Sequence, residues 1–296
     1  IIFIAMGDES WRVRKESVEA FVNASPDEIA IEKLLELLRC EDNAGLRNSA
    51  AEAVIHLGTA ATLPLIRMVN DPDADVRKFI VDLMGALRDP SFVQHLLNAL
   101  TDTDVNVAAA AAEHLGSSGD SSVVPDLIRA IIANQAVLFR FSALRALSAL
   151  AKPSHVPEEI LRLAEHDILC KAVYDCLGSI SDDCSISLLI DGFNSRQKSC
   201  RSSAVKAVYR IYVRSGVNAR QKILDALRSM NGKEVISGLL NLFDSRDALL
   251  TEALIWCSAA TGDIRFVPVL VESFEDERFT ESASKTLKIF GTEGLS

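Results

Sequence analysis

The chain has 296 residues, 49% of them hydrophobic but only 6% aromatic. A composition rich in Ala and Leu suits closely packed helices and argues against an all-β fold. The formal net charge of −10 argues against nucleic acid or an anionic membrane as a partner for the surface as a whole. The six cysteines, Cys40, Cys170, Cys176, Cys184, Cys200 and Cys257, form no C-x-x-C pair and no zinc-type spacing. They read as structural thiols of a reducing, cytoplasmic compartment, with no metal or cofactor expected.

The opening IIFIAM is far shorter than the ~20 apolar residues of a spanning helix, and no membrane segment is expected. The sequence starts inside a helical pattern, which is expected of a piece of something longer. From Asn70 the segment NDPDADVRKFIVDLMGALRD reads as a polar turn and then one amphipathic helix. Asp and Pro supply the turn, and Val76, Ile80, Leu83 and Leu87 recur at helical spacing. The pattern returns 31 residues later as TDTDVNVAAAAAEHLGSSGD, with Asp73 falling on Asp104, Val76 on Val107 and Gly85 on Gly116.

Val76 and Arg77 serve as a ruler. Equivalent pairs end at Arg14, Arg47, Ala108, Arg140, Lys171 and Arg201, at spacings of 29 to 33 residues once Thr251 and Thr280 close the series, apart from one late step before Thr251. Each period splits into two helices that cannot bury their apolar faces alone, so neighbours must stack. Nine units result, forming one all-α solenoid over residues 1–296. The first is truncated, with its second helix at 10–23. The others are 27–58, 59–89, 90–120, 121–155, 156–183, 184–216, 231–263 and 264–294. A bend is expected near 151–157, where two prolines fall, and an inserted helix over 218–231 accounts for the late step.

The turns NDPDADVR and TDTDVNV, the helix ends LMGALRD and EHLGSSGD and the period near 31 resemble short HEAT repeats. More specifically they resemble the HEAT-like repeats first associated with phycobilin lyases. The resemblance is close over 41–120 and looser elsewhere. It implies a right-handed superhelix of antiparallel helix pairs, second helices lining the concave face, and Asp and Arg side chains bonded between repeats. Members of that family include adaptors, cofactor-attachment proteins and a few enzymes. Tetratricopeptide repeats are rejected, because Trp11 and Trp256 do not recur at their 34-residue period.

Arg14, Arg47, Arg77, Arg140 and Arg201 stand once per repeat at the start of the second helix. They are expected to fork onto turn carboxylates such as Asp73, Asp75 and Asp104 as a structural ladder, since a guanidinium matches a carboxylate in two bonds. A ligand-binding ladder is the other reading. The fourth unit has Ala108 there and is expected to be the least braced. Five residues after the ruler come Glu19, Glu52, Asp82, Glu113, Arg145, Cys176, Lys206, Trp256 and Lys285. If they line the groove, it is acidic first and more basic later; an ordinary solvated helix face would carry the same residues.

Residues 196–228 hold nine basic residues and one acid, with Lys206, Arg210 and Arg214 four apart and Tyr209 and Tyr212 interleaved. Such a stripe can meet phosphate, a base or an acidic protein surface, or be a charged face whose tyrosines pack on basic stems. No catalytic motif is present: Glu113-His114 and Glu165-His166 are not H-E-x-x-H, and there is no G-x-S-x-G or P-loop. The expected function is therefore a non-enzymatic scaffold or adaptor. It would bind a protein of unknown identity through Glu19, Glu52, Asp82, Glu113 and Arg145 toward one end and Lys206, Tyr209, Arg210 and Arg214 toward the other. Phycobilin lyase-like cofactor attachment and nucleic-acid or anion binding through 196–228 are the alternatives. Head-to-tail self-association of the acidic half with the basic segment is a further expectation.

Overall fold

The computed structural model describes residues 1–150, 152, 156–181, 183–230 and 233–291. Every regular element among them is helical. The first pair is α1 (Ile2–Ala5) with α2 (Trp11–Asn23). Four pairs follow: α3 (Glu28–Glu36) with α4 (Ala44–Leu57), α5 (Thr62–Met68) with α6 (Ala74–Leu87), α7 (Val93–Ala99) with α8 (Val105–Ser117), and α9 (Val124–Ala133) with α10 (Val137–Leu150). Then come α11 (Glu158–Arg162) with α12 (Cys170–Ile180), and α13 (Ile186–Asp191) with α14 (Lys198–Arg214). The extra helix α15 (Val217–Arg228) precedes α16 (Lys233–Leu240) with α17 (Ala248–Thr261), and α18 (Val267–Glu272) pairs with α19 (Thr280–Phe290). The arrangement is an all-α solenoid.

Two compact units divide the chain, Ile1–Leu150 and Ala151–Ser296. The dividing line falls at the proline-bearing segment for which a bend is expected; residues 151 and 153–155 of that segment lie outside the described residues. The expected inserted helix corresponds to α15, which packs on α17, α13 and α14 of the second unit; residue 231 lies outside the described residues.

The polar turns act as helix caps. Asp73 accepts the Asp75 amide at 2.9 Å, Asp104 that of Asn106 at 2.8 Å, and Asn43 that of Leu46 at 2.8 Å, so each side chain satisfies an amide that has no partner within the helix. First helices are opened in the same way by Asp89, Asp120 and Asp263. Several second helices end on a left-handed residue, Arg88 with φ 53° and Gly262 with φ 66° among them, which stops the helix and turns the chain. The segment Ala44–Met68 has the length and mean hydropathy (1.3) of a membrane span. It is not one helix: α4 stops at Gly58 (φ 59°), and a 3-10 turn leads into α5.

The residue before the ruler position points into the core in most repeats. Val76, Val107, Phe139, Cys200 and Leu250 are all buried, while Val13 in the first pair is 40% exposed. Burying one such side chain is worth about 1.5–3 kcal/mol. Second helices pack side by side within each unit, α2 through α10 in the first and α12, α14, α17 and α19 in the second, more closely than the first helices do.

Glycine sets that spacing. A Cβ on Gly116 of α8 would lie 2.6 Å from the Ala146 Cα of α10, and one on Gly178 of α12 would lie 2.8 Å from the Ala207 Cα of α14. The fourth repeat, expected to be the least braced for want of an arginine, is instead packed tightly. Val107, Ala108 to Ala112 and Leu115 of α8 are all buried, because alanines let both neighbouring helices approach. Gly116→Ala tests this. Helix propensity alone would favour alanine by about 1 kcal/mol, but overlap with backbone atoms costs about 1–3 kcal/mol. The overlap is with atoms that cannot rotate away, so the melting temperature is expected to fall.

Candidate interaction surface on the second helices

The ruler arginines do not fork onto Asp73, Asp75 and Asp104, as the sequence led one to expect; they clasp backbone carbonyls of their own turn. Arg14 Nη1 donates to the carbonyls of Asp8 (2.8 Å) and Glu9 (3.0 Å). Arg77 Nη1 reaches those of Asp71 (2.7 Å) and Pro72 (3.2 Å). Arg201 Nη1 reaches those of Ser195 (2.7 Å) and Arg196 (3.1 Å). Arg47 serves Cys40 and Glu41, and Arg140 serves Asn134 and Ile131. The physical reason is that the turn ends the first helix and leaves carbonyls without amide partners. A guanidinium one helical turn into the next helix meets several of them at once.

Asp73 and Asp104 are occupied as caps, and Asp75 lies exposed in the first turn of α6. The carboxylates that do bond between repeats sit two residues earlier than Asp73 and Asp104. Arg77 Nε and Nη2 each lie 2.8 Å from Asp102. Arg39, at the end of the preceding first helix, pairs with the buried Asp71. Each of these aspartates also accepts the amide two residues on. Sequence reasoning missed both pairs, although the D-x-D spacing, repeated 31 residues apart, carried the signal. Burial opposes ionisation of Asp71, but Arg39 and the Asp73 amide outweigh it and hold the carboxyl below its usual range. For Asp102 the Arg77 hydrogen bonds lower it first, against burial.

In the first unit, the groove residues lie on successive second helices. Glu19 and Glu52 are exposed on α2 and α4, beside Lys15 at 3.7 Å and His56 at 3.9 Å. Asp82 on α6 is committed: it pairs with Lys78 at 2.7 Å and His114 Nε2 at 3.0 Å. His114 fills the space left by Gly85, whose Cβ would fall 2.0 Å from the imidazole. Burial raises the Asp82 carboxyl, yet the His114 and Lys78 bonds prevail and lower it. Glu113 on α8 and Arg145 on α10 are brought together. Both are exposed, and they line a cavity of about 230 Å³ with Ser117 and Ser142, floored by the Gly116–Ala146 contact.

In the second unit, the basic stripe is largely consumed by the unit itself. Lys206 pairs with Asp247 at 2.8 Å. Tyr209 donates to Glu252 at 2.8 Å. Arg214 donates to the carbonyls of Gly178 and Ser181, and Arg220 to those of Tyr212 and Val213. Trp256 packs against Tyr209 and Tyr212, at centroid distances of 5.5 and 4.5 Å. Arg210 is half-buried on α14. Part of the run of cations thus becomes helix-end clasps and two ion pairs, Lys206–Asp247 and Arg228–Asp225, while Arg196, Lys198 and Lys222 are exposed. Both ends of the Lys206, Arg210 and Arg214 stripe are engaged within the unit itself.

Two of the buried thiols are poor nucleophiles. Burial, and then neighbouring Cys200, push Cys170 up to about 12, and burial raises Cys257 further. Among the described residues, no group of three His, Cys, Asp or Glu side chains converges as a metal site would.

Stacked helix pairs with capped turns define an α-solenoid. Residues 62–148 and 93–169 match HEAT repeats, so this stretch of the chain carries HEAT repeats. No curated protein matches the chain. Among solved structures, it is similar to YibA of Escherichia coli, with 15% identity over 92% of this chain and 96% of that one and a TM-score of 0.60. Importin beta is similar over 98% of this chain and 47% of its own, at 14% identity and a TM-score of 0.59. Kap121p, in a structure bound to RanGTP, is similar over 99% of this chain and 38% of its own, at 15% identity and a TM-score of 0.57. The chain spans less than half the length of these last two. Likeness at this level of identity is a likeness of fold.

Two predictions follow from the paired groups. Arg77 and Asp102 are only 14% and 12% exposed, so Asp102→Asn should cost about 3 kcal/mol at neutral pH by leaving a mostly buried guanidinium unpaired. Asp102 titrates below its ordinary 3.8 in the folded state. Its contribution is therefore complete above that value and is lost as pH falls through the lowered one. Urea titrations of the wild type and Asp102→Asn should accordingly converge as pH falls through that lowered value. Second, replacing Lys206, Arg210 and Arg214 together by Glu should lower the melting temperature by several degrees, because two of the three hold helix ends or an ion pair. Differential scanning calorimetry measures this.

Proposed function

We propose that the protein is an interaction scaffold whose partner docks on the second-helix face of the first unit. The observation that carries this is the pair of exposed charges, Glu113 and Arg145, on opposite lips of a small cavity between α8 and α10. Among the described residues neither charge has a hydrogen-bonded or ion-paired partner, in contrast to Asp82, Lys206 and Arg214. A partner segment that offers a cation to Glu113 and an anion to Arg145 would be oriented by them, and such complementarity sets register and encounter rate more than raw affinity. Glu52 and Glu19 on the preceding second helices extend the same face with negative charge. The HEAT repeats support a binding role, and the short period and Asp-x-Asp turns favour the phycobilin-lyase-like type of repeat. The free thiols of Cys170, Cys200 and Cys257 support a reducing, cytoplasmic setting.

A photo-crosslinking residue at Ser142, beside the cavity, should capture a defined partner from native extract. The same residue at Leu63, exposed on first helix α5, should not. The double variant Glu113→Lys, Arg145→Glu should reduce capture at Ser142 at least tenfold with unchanged helical circular dichroism. Equal capture from both faces, or capture indifferent to the charge reversal, would overturn the proposal.

A further inference from the structure

Two repeats of the second unit carry the same turn with different clasps. Ser195, Arg196 and the N-cap Gln197 precede α14; Ser245, Arg246 and the N-cap Asp247 precede α17. The register is identical: the clasp position is four residues after the cap, at Arg201 in one and Thr251 in the other. Arg201 donates to the Ser195 and Arg196 carbonyls. Arg14 and Arg77 do the same in the same register, six and five residues back. Thr251 cannot. Its Oγ1 turns back to the Asp247 carbonyl at 3.3 Å. Among the described residues, no side chain takes up the Ser245 and Arg246 carbonyls.

Those two residues and Thr251 line a cleft of about 370 Å³. At the corresponding corner before α6, Arg77 is itself part of the lining, and its guanidinium occupies the clasp position beside a cleft of about 380 Å³. Phe243, Val269 and Phe279 give it apolar walls of the sort along which an arginine stem packs. Its carboxylates are Asp244, Glu272 and Asp276. Asp276 is held by Arg278 at 2.6 Å, which leaves Asp244 and Glu272 to face a guest. Arg246 is the competing cation. Its counterpart Arg196 stands at the same place in the turn before α14 and does not displace the guanidinium of Arg201.

We propose that this cleft receives a guanidinium in trans, the side chain of an arginine in a partner polypeptide, which donates to the Ser245 and Arg246 carbonyls as Arg201 does to those of Ser195 and Arg196. Lysine fits less well, because a single ammonium lacks the planar set of donors that reaches two carbonyls and a carboxylate together. The site is independent of the Glu113–Arg145 cavity.

The test uses the full chain, labelled with ¹⁵N, and the peptide acetyl-Gly-Arg-Gly-amide. Saturable amide shifts are expected at Ser245, Thr251 and Phe279, and the citrulline peptide, equal in shape but neutral, should bind at least tenfold more weakly. Thr251→Arg supplies the guanidinium in cis; it should match or exceed the wild-type melting temperature and bind the peptide at least tenfold more weakly. Equal shifts from the citrulline peptide, or undiminished binding to Thr251→Arg, would refute the proposal. Should Thr251→Arg not fold, the double variant Asp244→Asn, Glu272→Gln decides: binding weakened severalfold supports the site, and unchanged binding refutes it.

Discussion

The geometry of the solenoid depends on one recurring interaction, an arginine in the first turn of five of the second helices that gathers the carbonyls of the turn before it. A helix pair joined by a short turn has an awkward corner. The first helix ends with carbonyls that have no amide partner, and the turn adds more. Water can satisfy them on an isolated hairpin, but the corner is partly covered when the next repeat stacks on it. A guanidinium, with five donors in a rigid plane, satisfies several of these carbonyls together. It also fixes the angle between the two helices of the repeat. Once that angle is set, the apolar residue just before the arginine points into the core, as Val76 and Cys200 do, and the second helices can lie close enough for Gly116 to meet Ala146. The surface that faces a partner is a consequence of this corner.

The period, the pairing of helices and the core positions were legible because they are written in side chains: apolar residues at helical spacing, repeated at a near-constant interval. The recurrence of the arginines was legible too. Their acceptors were not, because backbone carbonyls have no letter in a sequence. Asp73, Asp75 and Asp104 are conspicuous, so they drew an assignment that belongs to carbonyls and, for Arg77, to Asp102. The glycines at 85 and 116 were visible as repeat markers, but only the structure assigns them distinct tasks, one making room for His114 and the other letting two backbones touch.

Charge order along the sequence proved a weak guide to charge on the surface, for a related reason. Residues 196–228 look like an uninterrupted basic field because most of the groups that neutralise them lie elsewhere: Asp247 for Lys206, and the carbonyls of Gly178 and Ser181 for Arg214. Glu113 and Arg145 look unexceptional in the sequence. They matter because adjacent helices bring them to one cavity and no structural task consumes them. The useful distinction is between charges that the fold spends on its own corners and charges that it leaves over, and it requires the three-dimensional accounting of every donor and acceptor.

Two of the repeats that lack an arginine at the clasp position, those with Ala108 and Thr251, show why departures from the pattern are not equivalent. At Ala108 the substitution comes with a run of alanines, and the helix is locked by close packing against both neighbours. The loss of a polar clasp is offset by dispersion contacts over the length of α8. At Thr251 there is no such offset near the turn: the hydroxyl serves its own helix, and the corner opens into a cleft with acceptors around it. A repeat protein can tolerate an unfilled corner, because each repeat leans on its neighbours and stability is shared along the stack. That tolerance lets an otherwise structural position acquire a ligand. Any group recruited there would bind with the geometry that the rest of the chain uses to hold itself together.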